Sequence, residues 1–103
     1  MSSQFSFAHI KENQFKTLAQ YVPIVDRVHG PHHPEFHEVR RLFDVIIEKT
    51  KKAGAEKPDL QQEFIKLREI TDNYSVPDDV CETYAAVYQM LAEADKVFHS
   101  DVE

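Results

Sequence analysis

A chain of 103 residues has the length of one ordinary domain, and 42% hydrophobic residues, 29% charged residues and only two glycines give it the composition of a globular protein with a real core. Its formal net charge of -6 offers no basic face to displace counterions from nucleic acid, and no apolar run nears the ~20 residues that a membrane span requires. Residues 1–10 have neither the basic start nor the apolar stretch of a signal peptide, and Cys81 is the only cysteine, so the expectation is a cytoplasmic chain forming one domain over residues 1–103, with any metal held by nitrogen and oxygen ligands.

Four segments repeat their apolar residues with a helical period. The first sets Phe7, Ile10, Phe15, Leu18, Tyr21, Val22, Val25 and Val28 at that spacing around Pro23, which predicts one kinked helix or two short helices meeting near the proline. Gly30 follows where a left-handed cap is wanted. The second segment opens at Pro34, repeats Phe36, Val39, Phe43, Ile46, Ile47 and Thr50 on one face, collects lysines and stops at Gly54. The third starts at Pro58 and Asp59 and steps through Leu60, Phe64, Leu67 and Ile70, a helix of about four turns. The stretch "TDNYSVPDD" breaks the pattern. The fourth begins with Pro77, Asp78 and Asp79, whose charges suit a helix N-terminus, and carries Val80, Tyr84, Val87, Leu91, Ala94 and Phe98 nearly to the last residue. No run alternates with period two, so the expected fold is all-α, an antiparallel four-helix bundle with short connections.

Helix bundles build metal sites from histidines and carboxylates on facing helices, and a carboxylate four residues from a histidine lies on the same face. His99 and Glu103 have that spacing, and Asp95 with His99 is a competing pair. Capping of terminal carbonyls or a solvated ion pair accounts for the same spacing equally well. In "VDRVHGPHHPEFHEVRR", His32 and His33 belong to the turn and His37 points to water, whereas His29 falls beside Val25 and Val28 at the end of the bundle. Cys81 reads as an inert, buried or half-buried thiol. Tyr84 and Tyr88, one turn apart, read as core or interface residues. There is neither a glycine-rich phosphate loop nor a hydrolase nucleophile motif.

The stretch "LREITDNYSVPDDVCETYAAVYQMLAEADKVFHSDVE", residues 67–103, resembles the last two helices of the hemerythrin-like di-iron proteins that repair damaged iron-sulfur clusters. In that family a leucine, an arginine and a threonine lead to an asparagine, a proline and a cysteine, and the closing helix carries a His-x-x-x-Glu iron-binding pair. Upstream, "VDRVHGPHHPEF" is similar to the family's Val-His-Gly turn followed by His-Pro-Glu. The resemblance implies a hemerythrin-like bundle with two irons in its core, acting on iron-sulfur proteins under nitrosative or oxidative stress. It places the metal ligands at His29, His99 and Glu103, with His33 as a further recruit. Two other family ligand positions fall on Ala53 and Lys57, which cannot bind iron, and His9 is the only upstream candidate for another. A reduced site, a site completed by a second chain in a homodimer, and a metal-free descendant of the family all fit this pattern. The functional expectation is an iron-binding protein related to iron-sulfur cluster repair. Its alternative is a metal-free interaction module that associates through the Tyr74, Tyr84 and Tyr88 side.

Overall fold

The computed structural model describes residues 7–54 and 56–100. Helix α1 (Phe7–His29) turns Leu18, Val22 and Val25 inward and runs through Pro23 as a single helix. The proline therefore lies within one helix and does not divide it into two. Helix α2 (Glu35–Ala53) starts immediately after Pro34, whose fixed φ of -63° suits that place, and buries Phe36, Val39, Leu42, Phe43, Ile46 and Thr50. Gly54 ends it at φ 61°, a backbone region that favours glycine. Helix α3 (Gln61–Thr71) is shorter than its pattern suggested, at 11 residues, because the apolar spacing begins at Leu60, outside its first turn. Helix α4 (Glu82–Ser100) starts later than Pro77, Asp78 and Asp79 indicated; those three lie in the connection.

The order α1–α2–α3–α4 makes an up-down-up-down bundle, with α1 packed on α4 and on α2, and α2 packed on α3. Among the described residues there is no strand. Aromatic rings fill the end of the core where α2 and α4 begin. Phe36 lies 5.0 Å from Tyr84 and 6.2 Å from Tyr88 by ring centroid, and the two tyrosine hydroxyls share a hydrogen bond of 3.2 Å. Tyr84 and Tyr88 are thus interior residues, and of the tyrosine side expected to offer an interaction surface only Tyr74 is not fully buried.

Gly30 is required by crowding and not by chirality. Its φ is not in the left-handed region, contrary to the cap the sequence suggested, and its N–H donates to the Asp26 carbonyl at 2.9 Å. A Cβ there would lie 2.4 Å from that carbonyl oxygen and 2.7 Å from Cε1 of His37. The α1–α2 turn closes this tightly only without a side chain.

The α3–α4 connection contains three consecutive left-handed residues, Asp72, Asn73 and Tyr74, at φ 54°, 58° and 62°. For a bulky residue such as Tyr74 that conformation costs on the order of 1–2 kcal/mol. Three bonds offset the strain. The Asn73 N–H donates to the Arg68 carbonyl at 2.8 Å, the Tyr74 N–H donates to Thr71 Oγ1 at 2.8 Å, and the Tyr74 hydroxyl donates to Asp95 Oδ2 at 2.7 Å. Asp95 is buried on α4 and also pairs with Arg68 Nε at 3.0 Å, an ionic contact without hydrogen-bond alignment.

Two outcomes follow from this packing. Gly30→Ala lowers unfolding free energy by about 1–3 kcal/mol in urea titration, and adding His37→Ala restores only part of it, because the backbone carbonyl still obstructs the methyl group. The second concerns alkali. Burial, with the Asp95 carboxylate next, raises the Tyr74 phenol above its ordinary value of 10.0; burial raises Tyr84 and Tyr88 as well. The fold thus prefers the protonated phenols. Their contribution to stability is complete below pH 10 and is lost above it, as the unfolded chain releases protons that the folded chain retains. Each tyrosine adds a slope of up to about 1.4 kcal/mol per pH unit there, so the ultraviolet phenolate signal of these three rises together with loss of helix in a single cooperative step.

Candidate metal centre

Two polar clusters lie at opposite ends of α4. At its beginning, His29 on the last residue of α1 meets Cys81 in the residue before α4, with Nε2 to Sγ at 3.3 Å. The His29 ring stands edge-on to Tyr84, centroids 5.2 Å apart. His33, in the α1–α2 turn, stands edge-on to the same tyrosine at 5.6 Å. Its Nδ1 reaches Glu35 Oε2 at 3.2 Å and its Nε2 reaches Asp79 Oδ1 at 3.0 Å. One imidazole therefore ties the α1–α2 turn to the α3–α4 connection. His32 is exposed. His37 is exposed as expected, but its Nδ1 lies 2.5 Å from Oδ1 of buried Asp26, which also accepts a hydrogen bond at Oδ2 from Arg40 Nη1 at 3.2 Å.

At the far end of α4, His99 Nδ1 is 2.8 Å from Asp95 Oδ1 and 2.9 Å from the Asp95 carbonyl. The Asp95–His99 pair that competed with His99–Glu103 in the sequence is thus a real contact, though Asp95 is committed as well to Tyr74 and Arg68. Glu103 and the side chain of His9 lie outside the described residues. A 19-residue helix rises about 28 Å, so His29 and His99 are separated by most of that length and cannot share one ion within a chain.

Among the described residues, no group of three or more His, Cys, Asp or Glu side chains converges as metal ligands do. The reasons are visible in the side chains. The two nitrogens of His33 point opposite ways, to different carboxylates, and the Asp95 oxygens are occupied. Between the two clusters the interior is Val87, Leu91 and Ala94, which carry no ligand atom, and Tyr88, whose phenol burial keeps protonated and which shares a hydrogen bond with Tyr84. At the two substituted family positions, Ala53 is the last residue of α2, while Lys57 donates from Nζ to the Phe98 carbonyl at 2.7 Å and lies 4.5 Å above the Phe98 ring. Where the resemblance implies a ligand, this chain has a cation capping the end of α4. The described residues do not fit a di-iron centre buried in the bundle.

The partner of His29 was not evident from the sequence. Cys81 read as inert and at least half-buried, yet it is exposed and in contact with an imidazole. Asp79 read as part of a helix terminus, yet it binds His33 across 46 residues of sequence. The sequence offered only one signal for either contact, the prolines and acidic residues that mark the connection as something other than helix.

Comparison with known proteins finds three that are similar to nearly the whole chain and are named for iron-sulfur cluster repair. The iron-sulfur cluster repair protein ScdA of Staphylococcus haemolyticus strain JCSC1435 is 25% identical across 130 aligned positions, covering 96% of this chain and 59% of that protein. Proteins of the same name from Staphylococcus epidermidis strains RP62A and ATCC 12228 are each 22% identical, covering 96% of this chain and 58% of theirs. The alignments are longer than this chain of 103 residues, so the relatives carry insertions relative to it, and the chain spans about three-fifths of their length. No family profile matches the chain, and no solved structure matches it significantly.

Proposed function

We propose that this chain serves the repair of iron-sulfur clusters, the role stated in the names of its relatives. The observation that carries the reading is the extent of the similarity, 96% of the chain against each of three such proteins. Because the relatives are longer, the chain supplies the helical-bundle part of such an activity. The stress-response setting belongs to the same proposal.

Iron handling is the finer part of this reading. The ligands to test are His29, His33, His99 and Glu103, and Cys81 joins them through its contact with His29. Imidazole and thiolate both suit first-row transition ions. His29 with Cys81 and His33 makes one candidate locus, and His99 with Glu103 a second, since one chain cannot bring both ends to one ion. A shared ion would take its two halves from two chains.

The test has two arms. After anaerobic purification with ferrous iron, mass spectrometry of the protein finds bound iron that falls several-fold in His29→Ala and in His33→Ala while helical content is unchanged; iron at background in the unaltered chain removes the iron-handling part. In the second arm, a hydro-lyase whose 4Fe-4S cluster has been damaged by nitric oxide recovers activity faster with the iron-loaded chain than with the same iron alone. Equal recovery rates overturn the repair role.

A further inference from the structure

Between α1 and α2, at the end of the bundle where α2 stops, lies an open groove of about 430 Å³. Its floor follows from helical spacing: Phe15 and Ala19 are one turn apart on α1, and Ile47, Thr50 and Gly54 succeed one another by three and four residues on α2. Phe15 is held by an edge-on contact with Phe43, ring centroids 5.8 Å apart, and Ile47 packs on the core beneath. The Thr50 hydroxyl donates to the Ile46 carbonyl at 2.7 Å, so it makes no polar demand on the groove. Small residues keep the space open. Ala19 is exposed, and a Cβ built on Gly54 would meet no atom within 4 Å. The volume lies in the range of small-molecule sites, which are mostly apolar with a few placed polar or charged groups.

Two cations supply the charge here. Lys16 on α1 and Lys51 on α2 both line the groove, and both are exposed. Among the described residues neither forms an ion pair, whereas their neighbours on α2 do: Lys49 pairs with Glu63 at 2.8 Å, and Lys52 lies 3.9 Å from Glu48. No carboxylate is among the described residues that line the groove. This pattern selects the occupant. A cationic ligand would be repelled by both lysines, and a neutral apolar one would leave them unmatched. A small anion without an apolar body would meet only two solvated ammonium groups, which hold it weakly. We propose that the groove binds a free alkyl carboxylate, a short- or medium-chain fatty acid, with its chain along Phe15, Ala19 and Ile47 and its carboxylate between the lysines. None of His29, His33, Cys81 and His99 lines the groove, so this site stands apart from any iron handling.

Titration of the full, isotope-labelled chain with sodium octanoate below micelle formation, followed by nuclear magnetic resonance, tests this. The expected result is one-to-one, saturable binding with amide shifts confined to the groove, around Ala19, Ile47 and Gly54. Octanol binds on the order of tenfold more weakly than octanoate, and octanoate binds Lys16→Glu with Lys51→Glu weaker by about the same factor. Both lysines are exposed, so helical content persists in that variant, and circular dichroism checks it. Ala19→Phe, also at an exposed position, fills the groove and removes the octanoate shifts. Absence of saturable shifts overturns the proposal, as does octanol binding as tightly as octanoate or octanoate binding that the lysine substitutions leave unchanged. Binding to phosphatidylglycerol vesicles without saturable octanoate shifts overturns it too, and assigns the lysines to a lipid surface.

Discussion

The buried carboxylate of Asp95 holds together elements that the backbone alone would leave apart. Removing such a charge from water costs several kcal/mol, and the fold can carry it only because donors converge on it. The Tyr74 hydroxyl, the Arg68 guanidinium and the His99 imidazole come from the α3–α4 connection, from α3 and from α4 itself. Without this convergence the three left-handed residues 72–74 would be strain with little to offset it. Once the reversal at Tyr74 is fixed, the connection is directed along the bundle, and it delivers Asp79 to His33 and Cys81 to His29. The geometry of the histidine end thus depends on a carboxylate at the other end of the same helix.

What was legible in the sequence follows from how local each cause is. The α1 and α2 faces are set by 3.6-residue periodicity, and the residues that carried it, including Leu18, Val22, Phe36 and Ile46, are in the core. The Asp95–His99 contact was legible for the same reason, since four residues on a helix always meet. The start of α4 was misread because Pro77, Asp78 and Asp79 have the chemistry of a helix N-terminus, while the chain uses Asp79 for a tertiary bond. His29 with Cys81 spans 52 residues and depends on the path of an irregular connection, which no periodicity encodes. The role of Gly30 was hidden in another way. A glycine after a helix suggests handedness, whereas here it is the proximity of the His37 ring and a backbone carbonyl that excludes a side chain.

The substituted positions give the similarity to repair proteins a physical shape. Lys57, where the resemblance implies a ligand, satisfies the Phe98 carbonyl and covers its ring, so the end of α4 is stabilised by the protein's own cation. The middle of the bundle is filled with apolar side chains, and His29, His33 and His99 lie towards its ends. Any chemistry shared with the longer relatives is accordingly a matter of helix ends and connections.

The brevity of α3 has a consequence for access. Its 11 residues face a 19-residue α4, so residues 72–81 form the wall of the bundle beside His29 and His33. A helical wall is sustained by its own ladder of hydrogen bonds, but from residue 76 to residue 81 the only backbone bond described is the one that the Cys81 carbonyl accepts from the Ala85 N–H at 3.1 Å. Local opening therefore begins at this wall, where the His33–Asp79 and His29–Cys81 contacts and the packing of Val80 hold it shut. The four-helix core can stay packed while that connection opens, which makes it a loose panel set in an otherwise rigid frame.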